Sequence, residues 1–299
     1  MTILLLGKNG QVGWELQRAL APLGNVTALD RNGKKGLCGD ISDLEGLRHT
    51  IEQTKPDVLV NAAAYTAVDK AQSDPELAAQ LNHHAPALMA ELMNTQGGCL
   101  VHYSTDYVFD GSGEYPWTET DVTGPLNVYA ATKLAGEQAI QISGCQHLIF
   151  RSSWVYASRG SNFAKTMLRL AQERETLNVI NDQIGAPTGA ELIADVTAHA
   201  LRQWQIQPDT AGLYHLAAQG ETSWYDYAHY VFDWARSEGL PIALHSASPI
   251  PSEDYLAPAI RPKNSRLDCQ KLETTFNLQL PDWKQGVNRM LQEINKDLS

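Results

Sequence analysis

Tyr129 and Lys133 stand four residues apart, a spacing that puts both on one face of a helix. A phenol has a reference pKa near ~10 and is a poor acid–base group at pH 7. A neighbouring ammonium stabilises the phenolate and lowers that pKa, so that tyrosine can hand a proton to a carbonyl oxygen while hydride arrives at carbon. Ser104-Thr105-Asp106 closes an earlier apolar run, Cys99–Tyr103. The end of a parallel strand is where ligands bind, and the Thr105 hydroxyl there can orient a carbonyl or the Tyr129 phenol.

A second constellation binds rather than reacts. Gly7-Lys8-Asn9-Gly10-Gln11-Val12-Gly13 follows directly on the apolar run Thr2–Leu6, and an amphipathic segment with Trp14, Leu16 and Leu20 comes next. The pattern reads as strand, tight turn, helix. Glycine lets the backbone turn sharply and approach a pyrophosphate, and the free N–H groups of the first helical turn point at it. Asp30 ends the next apolar run and can accept hydrogen bonds from the adenosine ribose, which favours NAD. Arg31, with Lys34 and Lys35 nearby, can pair with a 2′-phosphate, which favours NADP. Both signals are present, so NADH and NADPH are each expected to serve. Asn61-Ala62-Ala63-Ala64 closes a third run, and its small side chains would let a cofactor lie close to the sheet edge.

These groups need a rigid frame. Short runs rich in Val, Ile and Leu at 2–6, 25–30, 57–62, 99–103 and 147–151 read as strands covered on both faces. Helical patterns lie between them at 11–22, 43–54, 74–96 and 128–142, with Asp74-Pro75 and Asn127 as start signals. The alternation predicts an α/β fold, a Rossmann-type doubly wound parallel sheet over residues 1–151. Beyond it, helices are expected at 161–175, 189–204, 223–237 and 283–296. The runs 177–180 and 212–216 are expected to return to the sheet, and the proline-rich 249–262 to form a loop or arm. Residues 152–299 thus read mainly as a smaller, mixed α/β substrate domain, interleaved with the first.

The 299 residues carry a net charge of −11, and an acidic surface repels phosphate backbones, so nucleic acid is not an expected partner. A local site can still bind a nucleotide. The four cysteines show no paired short spacing and fit reduced thiols in a cytoplasmic protein. No run approaches the ~20 apolar residues of a membrane span, and the opening run lacks the basic flank of a signal peptide. The nine histidines form no metal-ligand spacing; His83, His84 and His102 read as structural or surface residues. Trp224, Tyr225, Tyr227 and Tyr230 lie at helical spacings and read as packing. Arg261 and Lys263 either pair with a diphosphate or sit in a solvated loop.

Gly7-x-x-Gly10-x-x-Gly13, Asp30, Asn61-Ala62-Ala63-Ala64, Tyr103-Ser104-Thr105-Asp106-Tyr107-Val108-Phe109 and Tyr129-x-x-x-Lys133 resemble the extended short-chain dehydrogenase/reductases. Arg151-Ser152-Ser153-Trp154-Val155-Tyr156, Asp182-Gln183-Ile184-Gly185-Ala186-Pro187-Thr188 and Arg261-Pro262-Lys263-Asn264-Ser265-Arg266-Leu267 extend the resemblance over essentially the whole chain. They are similar to the branch that reduces the C4 ketone of dTDP-4-dehydro-β-L-rhamnose, on the way to cell-surface polysaccharide such as O antigen. The resemblance implies Tyr129 as proton donor, Lys133 as its modulator and ribose ligand, and Thr105 as the hydroxyl that tunes them. It implies that Thr105, Asp106 and Trp154 meet the sugar nucleotide. It implies a cofactor site of Gly7, Gly10, Gln11, Val12, Gly13, Asp30, Arg31, Asp40, Ile41, Ala63, Ala64, Tyr65, Thr66 and Tyr103 together with Tyr129 and Lys133. A homodimer and Mg2+ are also implied, but no spacing here supplies metal ligands.

Two other readings stay open at this level. A dehydratase or epimerase acting on another sugar nucleotide would share the frame, although Tyr107 stands where a dehydratase would place a second carboxylate. A non-catalytic dinucleotide sensor would keep the glycine turn and lose Tyr129 or Lys133, both of which are present.

Overall fold

The computed structural model describes residues 1–296. The expected apolar runs become strands β1 (Thr2–Leu6), β2 (Asn25–Leu29), β3 (Val58–Asn61), β4 (Cys99–Thr105) and β5 (Gln146–Ser152), joined by β6 (Gly212–His215). They form one sheet in the order β6-β5-β4-β3-β1-β2, and every pairing is parallel. The chain steps outward from β1 to β2, then crosses back and builds the other way from β3. That reversal opens a crevice outside the carboxyl ends of β1 and β3. Register brings the ends level: Leu6 pairs with Leu29 and Asn61, and Asn61 pairs with His102. Gly7, Asp30, Ala62 and Tyr103 therefore emerge side by side along one edge.

The main helices are α1 (Gln11–Leu20), α2 (Leu44–Thr54), α3 (Ala85–Gln96), α4 (Val128–Ile142), α5 (Phe163–Glu173), α6 (Ala190–Ile206), α7 (Trp224–Ser237), α8 (Gln270–Phe276) and α9 (Trp283–Lys296). Alternation along the strands feeds two cores. Ile3, Leu5, Val58, Val60, Val101 and Phe150 face one side, against Leu16 and Leu20 of α1 and Ile193 of α6. Leu4, Leu6, Leu59, Leu100 and Ile149 face the other, against Leu47 and Ile51 of α2 and Met89 and Met93 of α3. Each such fully buried aliphatic side chain contributes about 1.5–3 kcal/mol. A third core gathers Met167, Val179, Tyr227, Phe232, Val287 and Leu291 from the later helices.

Three expectations need correction. Of the two runs expected to return to the sheet, 212–216 supplies β6, but 177–180 does not return. Thr176–Ile180 instead pairs in parallel with Ser246–Ile250, so part of the expected proline-rich arm is a strand as well. An edge strand tolerates Pro249 because one side of its backbone is unpaired. The expected helix 74–96 is interrupted: one wider π turn, Gln80–His84, separates Pro75–Ala79 from α3. Pro86 lacks the N–H that a continuous helix would use, and π geometry absorbs such a gap. Helix α8 was not foreseen, since its short apolar pair Leu272 and Phe276 only signals in its packed setting. Residues 297–299 of the expected substrate domain lie outside the described residues.

Helix α4 is tied to the sheet by charge. Arg151 of β5 donates from Nε to Glu137 Oε1 at 3.0 Å and from Nη2 to Glu137 Oε2 at 2.6 Å, and both side chains are buried. Its N-terminus is capped by Asn127, whose Oδ1 accepts from the Ala130 N–H at 2.9 Å while Nδ2 donates to the Ile260 carbonyl at 2.8 Å. Glu137→Leu should strand a buried guanidinium and cost about 3–5 kcal/mol in urea unfolding, while the double change with Arg151→Met should recover most of that loss.

Candidate active site

The glycine turn is built by close approach. Gly7 has φ +83°, and a Cβ there would meet the Ala62 carbonyl carbon and the Ala63 nitrogen. A Cβ on Gly13 would run into the Gly7 carbonyl oxygen. The turn can therefore pass flat against the end of β3 only with glycine at both places. Gly10 begins α1 without a side-chain cap, so the first-turn N–H groups are left for a ligand. Among the described residues, eight buried side-chain polar atoms lack a hydrogen-bond partner, Gln11 Oε1, Ser104 Oγ and Ser152 Oγ among them. All three line a cleft of about 710 Å³ at the switch point. Buried polar groups are normally satisfied, so these atoms await something that fills the cleft.

Across the cleft lies the reactive face of α4. The cap at Asn127 starts the helix so that Tyr129 and Lys133 fall on the face toward β4. The Tyr129 phenol lies next to the Thr105 hydroxyl. That hydroxyl gives its own proton to Asp106 Oδ1 at 3.0 Å and accepts from the Tyr107 N–H at 3.1 Å. Lys133, 2% exposed, donates from Nζ to the Tyr103 carbonyl at 2.5 Å and lies 3.3 Å from His102 Nε2. Asn61 Nδ2 contacts the other imidazole nitrogen at 3.2 Å.

Burial dominates the electrostatics. It pushes the Tyr129 phenol up to about 12, with Thr105 pulling down and Asp106 pushing up. It pulls the Lys133 amine down to about 8, against the opposing pull of Glu137. It pushes Asp106 up to about 6, opposed by its hydrogen bonds. The expected lowering of the phenol by a neighbouring ammonium is thus outweighed here, because a phenolate in this pocket would lose its water and the Lys133 amine is turned to β4.

The far wall is aromatic. Trp154 takes a left-handed backbone (φ +48°) that aims its indole at Trp224, with ring centroids 3.5 Å apart and planes 13° from parallel. Both line the cleft. Trp224 packs against the third core, as its helical spacing suggested, and also forms this wall; that second role is not local, since its partner lies 70 positions away in the chain. Asn61, Ser104 and Ser152 are further lining residues outside the expected set.

A second hollow of about 370 Å³ continues past the glycine turn and takes in Asp30, Arg31, Asp40 and Ile41, as well as Ala63 and Ala64. Asp30 is held by Lys8 at 3.1 Å, by Asn9 Nδ2 at 3.1 Å and by the Asn32 N–H at 3.0 Å, which hold its carboxyl below the usual range. Arg31 is mostly exposed and pairs with Asp40 at 2.9 Å. Lys34 and Lys35 form a separate tight turn and do not line this hollow; Lys8 is the cation that does meet Asp30. Gln11, Val12, Thr66, Tyr103, Thr105, Asp106, Tyr129, Lys133 and Trp154 line the main cleft as expected. Gly13 and Tyr65 do not. Gly13 packs on Gly7, and the Tyr65 phenol reaches Asp74 at 3.4 Å while its N–H is taken by Asn82. Arg261 and Lys263 are each paired within the protein, with Asp69 and Asp182 respectively.

Comparison with known proteins agrees with this geometry. A family model described as RmlD substrate binding domain matches residues 1–296. The dTDP-4-dehydrorhamnose reductase of Escherichia coli K12 is 59% identical over 294 residues, covering 98% of each chain. A crystal structure of a dTDP-4-dehydrorhamnose reductase from Clostridium acetobutylicum superposes with a TM-score of 0.88 at 34% identity, covering 99% of this chain and 100% of that one. Another from Bacillus anthracis, in complex with NADP, superposes with a TM-score of 0.86 at 32% identity, covering 98% and 99%.

Gly13→Ala should lift the glycine turn off β3 and raise the Kd for NADPH by at least about tenfold, near 1.4 kcal/mol, in a fluorescence titration.

Proposed function

This chain belongs to the RmlD substrate binding domain family, and on that premise we propose that it acts as a dTDP-4-dehydrorhamnose reductase, converting dTDP-4-dehydro-β-L-rhamnose to dTDP-L-rhamnose with NADPH or NADH. The observation that carries this reading is the meeting of the Tyr129 phenol and the Thr105 hydroxyl in a cleft whose opposite edge is the glycine turn.

The unpartnered Gln11 and Ser152 atoms and the flat glycine cradle fit a dinucleotide. Gly7, Gly10, Gln11 and Val12 would hold its pyrophosphate, Asp30 its adenosine ribose, and Lys133 its nicotinamide ribose. Bound in reduced form, it supplies the hydride to C4. Tyr129 gives its phenolic proton to the ketone oxygen, so that hydride and proton together make the new secondary alcohol. A phenol pushed up to about 12 stays protonated at neutral pH, which is the form a donor needs. Thr105, whose hydroxyl proton goes to Asp106 Oδ1 at 3.0 Å, stands beside that phenol and helps hold it in line. The Trp154–Trp224 wall would hold the sugar face and keep water from the reacting carbon.

A dehydratase needs a second acid–base group to remove a proton from C5. Tyr107 occupies that place and packs edge-on to Tyr129, with ring centroids 6.1 Å apart. Burial pushes its phenol well up, so it makes a poor base. This favours plain reduction. A homodimer and Mg2+ rest on the resemblance alone: among the described residues no group of three or more His, Cys, Asp or Glu gathers to hold a metal. No helix among them is long and apolar enough to cross a membrane.

Tyr129→Phe should lower kcat roughly 10²–10⁴-fold while the Kd for NADPH stays unchanged; undiminished turnover would overturn the assigned donor. Asp30→Asn should shift kcat/KM toward NADPH, because a carboxylate repels the 2′-phosphate and holds a ribose hydroxyl pair better than an amide does.

A further inference from the structure

We propose that Asn61 and His102 act as positioning residues that fix the proton arrangement of Lys133, holding its amine as an acceptor on one side and a donor on the other. The argument is one of hydrogen-bond direction along a buried row. Asn61 Oδ1 accepts from the Ala63 N–H at 3.2 Å, which turns the Asn61 amide nitrogen toward His102. That nitrogen lies 3.2 Å from His102 Nδ1 and can only donate, so Nδ1 is the unprotonated nitrogen of the ring. A neutral imidazole with a bare Nδ1 carries its proton on Nε2. Nε2–H then points at Lys133 Nζ, 3.3 Å away. An ammonium has no lone pair to receive it. An amine does, and it can still donate to the Tyr103 carbonyl on its other side.

The surroundings support this arrangement. Asn61, His102 and Lys133 are each at most 2% exposed, so no water relieves a mismatch. His102 is kept neutral first by its burial. The other charges facing the site are committed. Glu137, one turn along α4, is bidentate to Arg151 of β5. Asp106 at the end of β4 accepts from Thr105 on the Tyr129 side. From the Gln80–His84 turn that packs on α4, Asn82 bonds Thr132, and His83 and His84 stack on each other. Burial lowers the Lys133 amine to about 8, in the same direction. Lys133 thus stands near the balance between amine and ammonium, and the row behind it sets that balance through the tautomer of one ring.

This inference deepens the reductase reading, and its test does not depend on turnover. Protein labelled with 15N-histidine and 13C-lysine is titrated by NMR, with and without NADPH, and the His102 resonances are identified as those missing in His102→Gln. The expected result is a Lys133 ε-methylene midpoint well below that of the other lysines, with His102 protonated on Nε2 at every pH above that midpoint. Asn61→Asp should swing the ring, since a carboxylate demands an N–H at Nδ1; Nε2 then accepts from the ammonium, and the midpoint should rise by about one pH unit or more. Native His102 protonated on Nδ1 overturns the proposal, even if Asn61→Asp fails to fold. A swung ring with an unmoved Lys133 midpoint overturns it too. Failure to turn over the sugar nucleotide would sink the reductase reading and leave these spectra standing.

Discussion

A buried ion pair decides where the chemistry can take place. Glu137 and Arg151 are both nearly inaccessible to water, and their two-pronged contact joins α4 to β5. Such a pair is a poor source of stability, since removing two charges from water costs about as much as their attraction returns. Its value is registry. A helix held by apolar contacts can slide or roll with small penalties, whereas a carboxylate displaced by one turn would leave two unpaired charges in the core. Tyr129, Lys133 and Glu137 follow one another at intervals of four, so fixing the last fixes the others. The phenol then meets Thr105, and the amine meets the Tyr103 carbonyl.

The same stripe shows how burial and function are balanced. The groups of α4 that anchor it are paired: Glu137 with Arg151, Lys133 with β4, Asn127 with the helix it caps and with the Ile260 carbonyl. Among the described residues, the buried atoms without partners include several at the cleft, on Gln11, Ser104, Asp106 and Ser152. At the cleft, a ligand would complete those unsatisfied groups. The Trp154 backbone makes a similar trade: a left-handed residue that is not glycine is strained, and the stack on Trp224 holds it there.

Much of this was legible in the chain alone, and each success has a local cause. Runs of Leu, Ile and Val too short for buried helices became β1, β3, β4 and β5, because strands covered on both faces have no polar side to show, whereas β2 forms the sheet edge with Asn25 and Thr27 exposed. The glycine turn could be read because backbone approach and tight turning exclude other residues, and the Tyr129–Lys133 pair because a helix converts a four-residue interval into adjacency. These are properties of neighbours in sequence, and sequence alone determined them.

Contacts between distant segments were decided only by the tertiary structure. Thr176–Ile180 reads like a strand for the main sheet, but its partner is Ser246–Ile250, since nothing within five apolar residues says which edge they will meet. Lys34 and Lys35 looked like cations for the adenosine end, yet their turn carries them away and Lys8 meets Asp30 instead. Trp224 read as packing and His102 as structural or surface, and the structure keeps the packing of Trp224 and buries His102, but only the fold shows what each faces. The sheet register sets His102 beside Asn61 and under Lys133, and the packing of α7 sets Trp224 on Trp154. Sequence fixes what each residue can do and which near neighbours it keeps; only the folded arrangement fixes which distant group it meets, because that depends on shapes and registers summed over the whole chain.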